Sequence, residues 1–246
     1  MNAWPDLRER LRRPPRFSPF LLEHGKRLTR PRLINRALLQ VRVTGRDLVP
    51  ADGPVLFAAN HSAWLDGPLV VIEAPRPVRC LTKTEMFVGP LGHILHLIGQ
   101  IPVDRSRPDR SALAAAVDEL RAGGAVGVFP EGTRGSGELE AVHDGIAYLA
   151  VRGECPIVPV AVLGTADVWP DGARLPRRTP IDVVFGEPFR VGLPDNRRSR
   201  KVLSELSEQI RGRLVAHLGD ARRTRALLEE RGVRAGDLSS DLQVMS

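Results

Sequence analysis

From residue 41 onward, short apolar runs alternate with stretches whose apolar positions recur at helical spacing. "VRVTG" (41–45) alternates apolar and polar side chains and stops at a glycine, whereas "GPVLFAAN" (53–60) is a continuous apolar run closed by Asn60. The first pattern predicts a half-buried strand and the second a strand buried on both faces. "RPVRCLTK" (76–83), "AVGVFP" (125–130), "PIVPVAVLG" (156–164) and "IDVVFGEPF" (181–189) predict further strands. Between them, helices are expected from Ser62 to about Glu73 after a turn at His61, over "SALAAAVDELRAGG" (111–124), and over "DGIAYLAVRG" (144–153). A last helix, about Arg198 to Leu218, places Leu203, Leu206, Ile210 and Leu214 on one face. Strand and helix in alternation predict an α/β fold, a mixed and largely parallel sheet flanked by helices.

Composition sets limits on this picture. The 246 residues, 42% of them hydrophobic, suffice for one sizeable core. No window reaches the roughly 18 to 20 uninterrupted apolar residues that a membrane-spanning helix needs. The two cysteines, Cys80 and Cys155, are too few for a disulfide framework and are expected to be buried apolar fillers. Three segments are predicted: a basic one at 1–40 in contact with a membrane, a catalytic domain at 41–219, and a charged, loosely ordered tail at 220–246.

Charge is concentrated at one end. Residues 1–50 carry 12 Arg or Lys against 4 Asp or Glu, leaving 24 against 25 for the rest. Aromatic residues are only 4% of the chain, which leaves little to stack on bases, so no nucleic-acid partner is expected. Within "AWPDLRERLRR" (3–13), Trp4, Leu7 and Leu11 fall at helical spacing with arginines between them. That suits a short helix on an anionic membrane surface, and equally a solvated basic arm. Charges at 6–10 occupy the place of a secretory signal's apolar stretch, so the expectation is a peripheral protein on the cytoplasmic face of the cell membrane.

Polar clusters follow several of the predicted strands, where sites in open α/β sheets lie. They are "NHSAWLD" (60–66), "KTE" (83–85), "GQIPVDR" (99–105) and "FPEGTRG" (129–135). On a regular helix His61 and Asp66 would sit roughly 140° apart. They meet only if His61 occupies the turn before the helix and Asp66 its first turns. Asp66 would then fix the imidazole tautomer and leave the other nitrogen as a general base. The alternative is a turn in which His61 bonds to the backbone and Asp66 caps a helix.

"FPEGTRG" reads as a tight loop able to aim backbone N–H groups at an anion, with Arg134 as a forked phosphate ligand and Glu131 as its orienting ion-pair partner, and taken alone equally as an ordinary turn closed by a salt bridge. Arg105, held by Asp104, and Lys83 are further phosphate candidates. No G-x-S-x-G elbow, P-loop or dinucleotide fingerprint occurs. His93 and His96 lack a companion ligand, and no metal site is expected. A base beside phosphate-binding cations, with no protein nucleophile, suggests direct transfer to a substrate hydroxyl.

At these residues the sequence resembles the 1-acylglycerol-3-phosphate acyltransferase (PlsC-like) family of glycerolipid acyltransferases. Its motifs stand in order as Asn60-His61 to Asp66, Gly99 to Arg105, Phe129 to Gly135, and Val158-Pro159-Val160, with Gly135 in place of the common serine. The resemblance implies transfer of an acyl group from acyl-CoA or acyl carrier protein to lysophosphatidate, giving phosphatidate, with no further cofactor. Glycerol-3-phosphate or another lysophospholipid is the alternative acceptor, and a thioester hydrolase the alternative class. His61 would be the base and Asp66 its orienting partner. Lys83, Arg105, Glu131, Gly132, Thr133 and Arg134 would form the phosphate side, with N–H groups near Gly132 as candidates for the thioester oxyanion. Acyl chains would need an apolar groove.

Overall fold

The computed structural model describes residues 39–168, 179–193, 196 and 199–231. Among them seven strands form one sheet: β1 (Gln40–Thr44), β2 (Val55–Ala59), β3 (Arg79–Lys83), β4 (Ile101–Val103), β5 (Ala125–Val128), β6 (Ile157–Leu163) and β7 (Pro180–Phe185). The spatial order is β1-β7-β6-β2-β5-β3-β4. Strands β6, β2, β5, β3 and β4 run parallel, β7 runs antiparallel to β6, and β1 lies parallel to β7. The expected mixed, largely parallel sheet is therefore what the chain builds.

Its helices are α1 (Asp66–Glu73), α2 (Gly89–Leu97), α3 (Arg110–Arg121), α4 (Gly145–Gly153), the one-turn α5 (Thr165–Val168) and α6 (Arg200–Glu230). The continuous apolar strands are buried on both faces, as parallel sheets require. Along β2, Leu56 and Ala58 join a core with residues of α3, α4 and α6, while Val55, Phe57 and Ala59 join a second core with Leu69 and Val70 of α1. Both cysteine thiols are buried, and burial pushes Cys80 up to about 12 and Cys155 up to about 11, so neither is a nucleophile at neutral pH.

Three elements differ from the sequence expectation. Helix α1 begins at Asp66, because residues 62–65 form a turn whose amides bond to that aspartate. Pro68 lies in the first turn, where an N–H has no intrahelical partner to lose. Residues 89–97, for which no element was expected, form α2. The third difference is a correction: α6 runs through the boundary placed at 219, so residues 220–230 are helical and not a loose tail.

The buried stripe explains this last result. It continues from Leu206, Ile210 and Leu214 through Leu218 to Ala221, and Gly219 costs only about 1 kcal/mol in a helix. Beyond it, Arg222 forms a two-pronged pair with Glu138 at 2.6 and 2.5 Å, and Arg225 lies 3.6 Å from Asp182 of β7. The expected membrane-contacting segment falls outside the described residues except at its C-terminal edge, as does the tail from residue 232. Among the described residues no helix is long and apolar enough to cross a membrane.

Candidate active site

All five parallel strands deliver a polar residue at their carboxyl ends, and these converge on one edge of the sheet. Strand β2 leads into Asn60 and His61, β3 ends on Lys83, β4 is followed by Asp104 and Arg105, β5 by the loop 129–135, and β6 by Thr165. Buried Asn60 splices the first of these ends to the sheet: its side chain accepts from the Val162 N–H at 2.8 Å and donates to the Val162 carbonyl at 3.0 Å.

His61 and Asp66 meet as the turn reading required. His61 Nδ1 lies 2.9 Å from Asp66 Oδ2, which also accepts the Ser62 and Ala63 amides at 2.7 and 2.8 Å. The Thr165 hydroxyl donates to Asp66 Oδ1 at 2.6 Å, so a wholly buried carboxylate is met on both oxygens. Those donors hold it as an acceptor, which sets the proton on Nδ1 and leaves Nε2 with its lone pair. The imidazole lies against the Phe129 ring, centroids 4.4 Å apart, and its side chain remains 16% exposed.

The "EGTR" loop serves the histidine in a way the sequence did not suggest. Glu131 makes no ion pair with Arg134 among the described residues. Its Oε1 accepts the His61 N–H at 2.8 Å, while the Gly135 N–H donates to the His61 carbonyl at 3.1 Å. The loop thus grips the histidine main chain at both ends. Burial raises the Glu131 carboxyl above its ordinary range, opposed by the His61 N–H and nearby charge.

Gly132 also departs from expectation. Its N–H donates to the Phe129 carbonyl at 3.0 Å and is not aimed at a ligand, and its carbonyl accepts from Arg105. With φ at 72° and a hypothetical Cβ only 2.5 Å from His143 Nε2, position 132 requires glycine. Asp104 holds Ser106 and Arg107 instead of Arg105.

A cavity of about 610 Å³ opens at His61. Val71, Leu81, Leu95, Val128 and Leu149 give it an apolar wall, and Lys83, Arg105, Gly132 and Arg134 also line it. Its size falls in the range of small-molecule sites, roughly 300 to 1,000 Å³. The exposed Thr133 side chain and Glu131 do not line it.

Thr165 and the lining residue His143 were missed by the sequence reading. A threonine after "VLG" carries no signal of its own until the fold brings it to Asp66, 99 residues away. His93 and His96 are engaged locally, with the Gly89 carbonyl at 2.8 Å and the Phe87 ring at 4.9 Å. Among the described residues no cluster of His, Cys, Asp and Glu could hold a metal ion.

Comparison with known proteins agrees with this geometry. A family model described as Acyltransferase matches residues 40–163. The chain is 30% identical over 177 residues to the 1-acyl-sn-glycerol-3-phosphate acyltransferase of Bacillus subtilis, covering 70% of this chain and 86% of that one. It is 33% identical over 177 residues to the lyso-ornithine lipid O-acyltransferase of Pseudomonas aeruginosa, covering 70% and 65%. The crystal structure of the 1-acyl-sn-glycerophosphate acyltransferase PlsC from Thermotoga maritima shares the fold, with a TM-score of 0.62 at 24% identity over 88% of this chain and 84% of that one. The family match runs from the first residue of β1 to the last of β6 and takes in His61, Asp66, Lys83, Arg105 and Arg134, and the chain belongs to the PlsC-like family of glycerolipid acyltransferases.

Proposed function

We propose that this protein transfers a fatty acyl group from a thioester donor, acyl-CoA or acyl carrier protein, to the free hydroxyl of lysophosphatidate, giving phosphatidate for phospholipid synthesis. The observation that carries this reading is the His61–Asp66 pair at the end of an apolar cavity edged by Lys83, Arg105 and Arg134. His61 Nε2 accepts the proton of the acceptor hydroxyl as its oxygen attacks the thioester carbonyl carbon. Cleavage of the C–S bond releases a thiolate, which takes that proton back from the imidazolium. Atoms and charge balance with the thioester as the only co-substrate. The cavity wall accepts acyl chain and the cations meet the acceptor phosphate. Because acceptor and product are lipids, the protein works at the cytoplasmic membrane surface.

Supplying one acyl-CoA with lysophosphatidate, glycerol-3-phosphate, lysophosphatidylglycerol or water tests this directly. Lysophosphatidate should be the preferred acceptor; undiminished thioester cleavage with water alone would make the protein a hydrolase. The Pseudomonas relative favours one further acceptor for the panel, a lyso-ornithine lipid, and preference for it would replace the phosphate monoester.

Two variants separate the parts of the site. Arg134→Ala should raise KM for lysophosphatidate about 10- to 100-fold, the loss of a hydrogen bond to a charged group, and leave a neutral acceptor unaffected. Equal loss on both acceptors would make Arg134 structural. Thr165→Val removes the hydroxyl that donates to Asp66 and should lower kcat about tenfold at unchanged KM, a loss of roughly one buried hydrogen bond. Thr165→Ser should restore it; failure of that rescue would show that shape at 165, not its hydrogen bond, is what matters.

A further inference from the structure

We propose that helix α2, with Met86 and Val88 before it and Ile98 after it, is the surface by which the protein docks on a phospholipid bilayer, so that lipid acceptor enters the cavity without crossing water. The inference rests on the lipid-acyltransferase reading above and adds to it the surface that meets the membrane.

Residues 86–103, "MFVGPLGHILHLIGQIPV", contain no Asp, Glu, Lys or Arg. A helix of such composition ordinarily turns its large aliphatic residues inward. This one does the reverse. Its only buried residue is Gly92, where a Cβ would lie 2.4 Å from the backbone of Phe87 in the turn just before the helix, so none of its large aliphatic side chains is buried. Val88 (69%), Leu97 (57%) and Ile94 (54%) are exposed, as are Met86, Leu91 and Ile98. Six of the eleven large hydrophobic residues exposed among the described residues thus fall within one 13-residue segment, which makes a contiguous patch and not the usual scatter.

The position of the patch identifies its occupant. Met86, Leu91, Ile94 and Ile98 both face solvent and line the cavity, so the patch is the cavity's own rim. Lys83, Arg105 and Arg134 line the same cavity, the arrangement that suits an apolar surface sunk among acyl chains with cations at the phosphate level. At nine residues α2 is about 14 Å long, too short to span a bilayer of about 30 Å, and so would lie in its interface. The exposed large side chains from Val88 to Ile98, namely Val88, Leu91, Ile94, Leu97 and Ile98, are all aliphatic, a composition that suits acyl chains.

Val88 and Leu97 do not line the cavity, which makes them the substitutions of choice. The test uses the full chain and vesicles of phosphatidylcholine, with and without phosphatidylglycerol. The double variant Val88→Asp/Leu97→Asp should partition onto both kinds of vesicle at least tenfold more weakly, a charge at membrane depth being costly. Turnover of a short-chain lysophosphatidate dissolved without any bilayer should be unchanged. Val88→Trp/Leu97→Trp should bind vesicles more tightly than the parent.

Unchanged vesicle binding of the aspartate variant would overturn the proposal, as would a loss confined to phosphatidylglycerol vesicles, which would make the contact purely electrostatic. An equal loss of turnover on the dissolved acceptor would assign the two residues to the fold. Retained vesicle binding with selective loss of acyl carrier protein as donor would make the patch a protein-docking site. Vesicle binding is measured without turnover, so a parent protein that binds through this face but acylates no lipid acceptor would refute the proposed reaction and leave the surface standing.

Discussion

Replacing His61 by alanine is expected to lower kcat by about 10² to 10⁴, the worth of a positioned general base, while the protein unfolds within a few degrees of the parent. The structure supports both halves of that expectation. The ring is the group of the dyad that lines the cavity, and no cysteine thiol is ionised to take over its work. Its removal does not strand the buried aspartate, because Asp66 keeps the Ser62 and Ala63 amides and the Thr165 hydroxyl. The grip of Glu131 and Gly135 is on the main chain at 61 and survives any side chain there. Steady-state turnover beside a circular-dichroism melt decides the matter, and near-parental turnover in a folded variant would remove His61 from the chemistry.

What the sequence made legible follows a physical rule. Strands β2, β5 and β6 were readable because burial on both faces demands unbroken apolar runs, and short runs of that kind have few other uses in a globular domain. Helix α2 was missed for the converse reason: its aliphatic residues do not face a core, so periodicity had no burial to report. The end of α6 was misplaced at Gly219 because a glycine after a periodic stretch reads as a stop. The buried stripe through Ala221 outweighs it.

The same logic divides the site. His61 and Asp66 were legible as a pair because a strand end and a helix start confine them within five residues. The roles of Glu131 and Asp104 were assigned to the nearest arginine in sequence. In three dimensions Glu131 faces the His61 N–H, 70 residues away, and Asp104 turns to Ser106 and Arg107. Thr165 depends wholly on the β2–β6 pairing, which brings the end of β6 beside the His61 turn. Sequence proximity is a guide to partners only where the backbone is already confined.

Asp66→Asn is the second substitution with a large expected effect, and its size is diagnostic. Asp66→Ala would leave the Ser62 and Ala63 amides without their acceptor in a part-buried turn, at about 1–3 kcal/mol for each unsatisfied group, and would confuse folding with catalysis. Asparagine avoids this. Two amides at 2.7 and 2.8 Å and the His61 Nδ1 all address the same oxygen, so the side-chain carbonyl is held there and the NH2 group is turned toward Thr165. The Thr165 hydroxyl then accepts instead of donating, and its proton can turn to Ser62 Oγ, 3.2 Å away. The imidazole keeps its tautomer and loses only the negative charge that stabilises the imidazolium. At an effective dielectric constant of about 20 that charge is worth a few kcal/mol, so kcat should fall about 10²-fold. A fall of about 10⁴ would instead match a histidine forced into the wrong tautomer, and would mean that the amide had flipped against two backbone donors. Full activity would reduce Asp66 to an anchor for the turn. Measured with Thr165→Val, the pair of rates also tells whether the two residues act through one carboxylate: in the Asp66→Asn background the Thr165 hydroxyl no longer donates to a charge, so the two losses in kcat should fall short of adding.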